Sequence, residues 1–289
     1  GSSSGGAAVA GIVEFMDGFA SPLASEGLIY NHRLVEAMKN VFAIRMSLAD
    51  PEFKNITGPI NALTSQKFMG QLRSEMNDNS VKPVENYGGI YNLAEAKRYL
   101  VEDHGTSHLS IVDKNGNAIA MTTTVNTYFG SKVVSPSTGI VFNNQMDDFS
   151  NSKAPNYFGL HPSAANYPDP LKRPLSSMSP CILTGPNGTV RLTGGASGGP
   201  RIITATAQVL LNYLGRGYDL LNAVKAPRLH SQLLPNEVYD EQHKLVTGLE
   251  IKNNEKIATF LKSKGHKVTL WPKSMGVSQY IAVDPDTGV

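Results

Sequence analysis

Only one cysteine, Cys181, occurs in the 289 residues. That excludes an internal disulfide framework and any zinc cage built on cysteines. An excess of one charge sign is missing too. The 26 basic and 24 acidic residues leave a formal net charge of +2. Nothing in that balance argues for nucleic acid or an anionic membrane as a partner. Apolar runs are only a few residues long, too short to span a bilayer. No G-x-G-x-x-G follows a strand and no G-x-x-x-x-G-K-[ST] occurs, so nucleotide cofactors gain no support. The seven histidines, His32, His104, His108, His161, His230, His243 and His266, form no H-x-H or H-E-x-x-H spacing. No metal site is expected from them. A Ser-His-Asp arrangement is left open by spacing alone.

What is present is ordinary globular composition, with 40% hydrophobic and 17% charged positions and 27 glycines and 17 prolines spread along the chain. The length allows one large domain or two small ones. The apolar stretch from Ala7 to Phe19 holds Glu14 and Asp17 and has no basic residue ahead of it. It reads as a core helix rather than a signal peptide. Leu34, Met38, Val41, Phe42 and Leu48 predict a helix over 30–49, stopped by Asp50-Pro51. Shorter helical pieces are expected over 64–76 and 91–102. From Gly105 the pattern changes to strands. Residues 107–112 and 118–125 flank Asn115-Gly116, a hairpin signal. A strand is expected at 139–142 and a long surface loop at 150–173. A second hairpin, 182–184 with 190–193, surrounds Gly185 to Gly188. An amphipathic helix follows from Ile202 to Leu214, with Gly215 placed to end it. Ile257, Phe260 and Leu261 mark another helix closed by Gly265, and final strands cover 267–270 and 279–283. Helices, hairpins, helices and strands in that order favour stacked layers of helix and antiparallel sheet, an α+β fold, over a parallel doubly wound one.

Several clusters could carry chemistry. Gly194 to Arg201 sits between a strand and the helix from Ile202. Backbone amides there, unobstructed and near a helix N-terminus, can hold developing negative charge; glycine relieving a tight turn is the other reading. Ser176-Ser177 offers paired hydroxyls, Thr122 to Thr124 and Asn126 offer polar groups along a strand, and Asp147-Asp148 is a carboxylate pair. Adjacent residues on an extended chain point opposite ways, so both carboxylates cannot easily face one substrate. Gly105-Thr106 opens the first hairpin. A Thr hydroxyl gains a base if the peptide bond before it is cut, because the freed α-amine then serves as one. Such an amine has a pKa of about 7.7–8.0 and is partly unprotonated near neutrality. Gly105 suits the cut because no side chain blocks approach to its carbonyl.

Taken in order, Thr106 to Asp113, Thr124 to Asn126, Phe129 to Ser131, Asn143 to Phe149, Arg173 to Met178, Gly194 to Ile202 and Ala226 to His230 resemble the γ-glutamyltranspeptidase family. The resemblance covers nearly the whole chain. It implies a self-cleaving N-terminal-nucleophile hydrolase with a four-layer αββα sandwich, here incomplete. Residues 1–105 resemble the C-terminal part of the large subunit, and 106–289 the small catalytic subunit lacking its C-terminus. The two would form one structural domain, a heterodimer from one precursor. The cut would fall between Gly105 and Thr106. Thr106 would then take the γ-glutamyl group of glutathione or another γ-glutamyl compound as an ester, resolved by water or by an amino acid or dipeptide acceptor. Thr124 matches the threonine that contacts the nucleophile, and Gly198 and Gly199 match the oxyanion hole. Asn126, Gln145 and Asp148 match residues around the substrate α-amino group, and Ser176 and Ser177 those on its α-carboxylate. No cofactor is implied.

The resemblance also carries expectations about what is missing. The family arginine that pairs with the α-carboxylate lies upstream of Gly1, and both ends look cut. The chain made alone is therefore expected to be poorly folded or inactive. Asn55-Ile-Thr57 and Asn187-Gly-Thr189 are glycosylation sequons. They fit the family's secretory location, whether extracellular, vacuolar or facing the exterior of a membrane. The competing readings are a related self-processing acylase acting on other amides and a non-catalytic truncated remnant.

Overall fold

The computed structural model describes residues 3–19, 27–91, 105–150 and 163–284. Helix α1 (Gly6–Asp17) buries Ala8, Val9, Ile12, Phe15 and Met16, the apolar stripe its spacing predicts. Helix α2 (Ile29–Arg45) is buried continuously from Leu34 to Arg45. It is the central helix of the core, packed on α1. It ends four residues before the expected limit. Ser47 N and Leu48 N bond back to Ile44 O and Arg45 O as a closing turn. A helix the sequence did not announce, α3 (Thr57–Leu63), precedes the expected piece over 64–76, which is α4 (Gln66–Ser74). Ser65 separates them because its hydroxyl caps Phe68 N. The helix expected at 91–102 falls outside the described residues except for Tyr91.

Strands β1 (Thr106–Val112) and β2 (Ala118–Thr124) pair antiparallel with Thr106 opposite Thr124. Asp113 Oδ1 accepts from Asn115 N and Asn117 N and so holds the turn. Strands β3 (Cys181–Thr184), β4 (Val190–Ser197) and β9 (Val277–Ala282) form a second sheet in the order β3-β4-β9. Strand β4 runs to Ser197, four residues beyond the expected end. Gly194 and Gly195 are thus strand residues, not loop. A Cβ on Gly194 would lie 1.9 Å from the Tyr280 ring, and one on Gly195 2.5 Å from the His108 ring. Glycine is required there because the two rings pack directly on the backbone. A third sheet has β5 (Leu229–His230), β6 (Val238–Lys244) and β7 (Glu250–Lys252), with β8 (Val268–Trp271) parallel to β6. That parallel pair was not legible in the sequence. The strand expected at 139–142 is only an isolated bridge, Val134 to Val141. Ser135 N bonds Ile140 O and Gly139 N bonds Ser135 O, closing a turn too tight to extend.

Helix α5 (Arg201–Leu210) continues into a π-helical turn over Leu211–Gly215, so Gly215 lies inside the last turn. Helices α6 (Leu220–Lys225) and α7 (Glu255–Ser263) start at Asp219 and Asn254, whose side chains cap Asn222 N and Lys256 N. The hairpin β1–β2 packs on β4, and β4 packs on α5, which packs on α1. The described residues therefore stack as helix, sheet and sheet. Thr106, His108 and Ser110 face inward. Leu109, Ile111, Ile119 and Met121 face outward and are 37–54% exposed. The fold is α+β. Among the described residues no helix is long and apolar enough to cross a membrane.

Candidate active site

Thr106 is the first residue of β1, directly across from Thr124 at the end of β2. Their hydroxyls are 2.9 Å apart. Thr124 Oγ1 also accepts from Asn126 N at 2.9 Å and donates to Gly105 O at 3.2 Å. A hydroxyl has one proton and two acceptor sites. The Thr124 proton is given to Gly105 O, so Thr106 must be the donor in the Thr106–Thr124 bond. Val125 N donates to the same Gly105 carbonyl at 3.1 Å. The carbonyl before Thr106 is thus held by two donors, and the Thr106 proton is aimed at an acceptor. A Cβ at Gly105 would lie 2.3 Å from both Asn126 O and Thr127 O. Only glycine fits without moving backbone.

A pocket opens beside this pair, lined by Thr106, Thr124, Asn126, Asp148, Ser176 and Ser177, with Gly199 and Ile202 at the start of α5. Gly198 lines a second cavity together with Thr106, Tyr128, Ser197 and Arg201. Asn126 is buried with a φ of 76°, a conformation asparagine tolerates better than most residues. Its Nδ2 donates to Asn144 O at 3.1 Å, which leaves Oδ1 as the acceptor. Asp148 is buried and Asp147 does not line the pocket. Gln145 is also outside the lining and donates to Asp148 Oδ2. Of the residues singled out from the sequence, Gln145 reaches the site only through that carboxylate. The other pocket residues, distant in sequence, converge.

The Ser176–Ser177 segment is braced from several sides. Ser176 N donates to Ser3 O and Gly5 N to Met178 O. Leu175 N donates to Asn166 Oδ1 at 2.9 Å, while Asn166 Nδ2 donates to Asp148 O at 2.8 Å. Buried Asn166 ties the carboxylate segment to the serine segment. Sequence reading missed it, because an asparagine in a Pro- and Asn-rich stretch looks like any turn residue. Nearby, Arg173 grips buried Asp50 through Nε and Nη2 at 2.9 and 2.7 Å. Those bonds hold the Asp50 carboxyl well below the usual range.

Gly195 to Gly199 also spells the G-x-S-x-G of a serine nucleophile elbow. Ser197 lies in β4, however, and bonds no histidine among the described residues. His108 bonds Thr122 Oγ1 at 2.7 Å and Ser110 Oγ at 3.0 Å, and burial lowers its pKa. It is neutral and has no bond to Thr106. Elsewhere His32, Glu36 and His266 come together although no metal spacing links them in sequence. Lys39 Nζ can only donate, so His266 Nδ1 accepts from it at 3.2 Å. His266 Nε2 then donates to His32 Nδ1 at 2.8 Å, and His32 Nε2 to Asn77 O at 2.9 Å. The facing ring nitrogens hold one proton between them. In this arrangement the ring nitrogens form a proton-ordered chain from Lys39 to Asn77 O.

The sequence model of the family Gamma-glutamyltranspeptidase matches residues 1–289. The chain belongs to that family. It is 41% identical to glutathione hydrolase 2 of Arabidopsis thaliana over 99% of this chain and 48% of that protein. It spans about half the length of such curated relatives. A γ-glutamyltranspeptidase T380A mutant from Helicobacter pylori superposes with a TM-score of 0.56 at 38% identity, covering 62% of this chain and 92% of that one. A cephalosporin acylase from Bacillus halodurans superposes at TM-score 0.75 over 98% of this chain and 46% of that one, and at 24% identity it shares the fold alone.

Proposed function

We propose that the protein hydrolyses glutathione and transfers its γ-glutamyl group to water or to amino acid and dipeptide acceptors, after cutting itself between Gly105 and Thr106. The observation that carries this is the hydroxyl chain from Thr106 through Thr124 to Gly105 O, joined by Val125 N. In the cut, Thr106 Oγ bonds the Gly105 carbonyl carbon and passes its proton by way of Thr124. The oxygen that gains charge is already held by Thr124 Oγ1 and Val125 N. The C–N bond then breaks, Thr106 N takes the proton, and water hydrolyses the resulting ester to a Gly105 carboxylate. The freed Thr106 amine becomes the base for the second reaction. It accepts the Oγ proton as Oγ attacks the γ-carbonyl, and it delivers that proton to the leaving amine. Gly198 and Gly199, each of which lines a cavity with Thr106, supply the amides for the second oxyanion.

The pocket suits a zwitterionic head group. Asp148 with Asn126 Oδ1 would receive the α-ammonium, with Gln145 holding Asp148, and Ser176 and Ser177 would receive the α-carboxylate. A glutaryl acylase substrate lacks that ammonium and would forgo its contact with Asp148, which disfavours it. Exposed Asn55 and Asn187 fit glycosylation and a route through the secretory pathway.

Intact-mass analysis of the protein made from its complete coding sequence tests the first step. A split at Gly105–Thr106 that disappears in Thr106→Ala is expected. An unsplit native protein that still releases glutamate from glutathione refutes the mechanism. Comparing γ-glutamyl with glutaryl anilides tests the second step, with turnover expected only of the former.

A further inference from the structure

Arg45 is the last residue of α2 and only 1% exposed. Its Nη2 donates to Ser177 Oγ at 3.0 Å and to Ser176 O at 3.2 Å. No hydrogen bond joins it to a carboxylate among the described residues. Burial pulls its pKa down to about 10, and the charge of Asp148 opposes that pull. A guanidinium never accepts, so Ser177 Oγ is the acceptor and its own proton must go elsewhere. The same logic applies next door. Ser176 Oγ accepts from Met178 N at 3.1 Å, so its proton is likewise left for another acceptor. Both serines line the pocket beside Thr106. Two hydroxyls with protons to give, backed by a buried cation bonded only to neutral oxygens, make a site for an anion.

We propose that Arg45 is a positioning residue for donor selectivity: by holding Ser177 Oγ as an acceptor, it directs the Ser177 proton to the α-carboxylate of a γ-glutamyl donor. This rests on the γ-glutamyl reading given above. Arg45 does not touch the substrate. It acts through Ser177. An arginine that merely braced the segment would matter equally for every ligand of the pocket. A positioning arginine matters only for ligands that carry the carboxylate, and only while Ser177 is there to relay it.

The experiment is calorimetric binding of L-glutamate and of 4-aminobutyrate, which lacks the α-carboxylate, to the protein expressed from its complete coding sequence. Wild type, Ser177→Ala, Arg45→Gln and the double variant are compared. Ser177→Ala is expected to weaken L-glutamate about ten- to hundredfold, the usual value of a hydrogen bond to a charged group. Arg45→Gln should weaken it several-fold with little change for 4-aminobutyrate, and should add less than twofold in the Ser177→Ala background. An equal Arg45→Gln loss with and without Ser177, or an equal loss for both ligands, overturns the proposal while leaving the γ-glutamyl reading intact. Failure of wild type to bind L-glutamate overturns that reading and the proposal with it. If Arg45→Gln does not fold, Arg45→Lys replaces it. That variant keeps the buried cation but loses the planar fork, and its effect on L-glutamate must likewise vanish without Ser177.

Discussion

Replacing Thr124 by valine isolates what its hydroxyl does. Valine is nearly isosteric and favours strands, so the Thr106–Thr124 register should survive. Three bonds are lost: the donor to Gly105 O at 3.2 Å, the acceptor for Thr106 at 2.9 Å and the acceptor for Asn126 N at 2.9 Å. Val125 N still holds the Gly105 carbonyl at 3.1 Å, so half of the ground-state polarisation remains. Removing one oxyanion donor typically slows a reaction about 100- to 1000-fold, or roughly 3–4 kcal/mol of barrier. Self-cleavage of Thr124→Val is therefore expected to slow by about that factor. Thr124→Ser, which restores the hydroxyl, should stay within about tenfold of wild type. The assay is a time course of intact mass on freshly made precursor, with circular dichroism to verify that each variant is folded. Cleavage of a folded Thr124→Val at the wild-type rate would refute the hydroxyl chain as the device that cuts the bond.

Gly105→Ala should lose self-cleavage and destabilise the hairpin by about 1–3 kcal/mol, the usual cost of overpacking, because its Cβ would lie 2.3 Å from two backbone oxygens; intact mass and thermal melting read the two effects. Acid should weaken the fold early. Burial lowers the pKa of His230 to about 3 and of His266 to about 2, so both stay neutral in the native state while the unfolded chain protonates them near 6.5. Stability then falls as pH drops below that value, by about 3 kcal/mol in total between pH 7.5 and 5.5 for the pair, and urea midpoints that are flat over this range would contradict the assignment. Asp50 acts at lower pH. Its depressed carboxyl contributes stability that is fully present above about pH 4 and is lost on further acidification. Arg173→Met should remove that contribution at neutral pH and flatten the acid limb, which acid titration followed by circular dichroism would detect.

Much of the fold was legible where a local rule and a packing need agreed. The stripe of α1, the Asn115-Gly116 turn and the hairpin around Gly185 to Gly188 are of this kind. The misses have physical causes. Gly194 and Gly195 look like loop residues, and only the Tyr280 and His108 rings above them explain glycine inside a strand. Helix α2 looks amphipathic at best, yet Glu36, Lys39 and Arg45 are buried along with its apolar residues. Their partners, His266 and Ser177, lie 227 and 132 residues away. No window of sequence contains that information. The parallel pairing of β6 with β8 is missed for the same reason, since parallel strands need a long connection and leave no turn signal.

The site was legible as a set of residue types but not as a set of directions. A threonine or serine in a sequence is both a donor and an acceptor, and its chemistry depends on which side is already used. Thr124 accepts from Asn126 N, Ser176 Oγ from Met178 N and Ser177 Oγ from Arg45 Nη2. Each of these donors is a group that cannot accept, so each fixes the polarity of its hydroxyl without ambiguity. Thr124 is left to hand its proton to the carbonyl before the nucleophile. The two serines are left to hand theirs to a ligand. One rule, a committed acceptor side, thus underlies both proposals, a threonine that cuts the bond before it and a serine pair that binds an anion. It also explains why only Arg45 among the three donors is a side chain. A backbone amide directs a hydroxyl but brings no charge, and under the γ-glutamyl proposal this end of the pocket would receive a carboxylate.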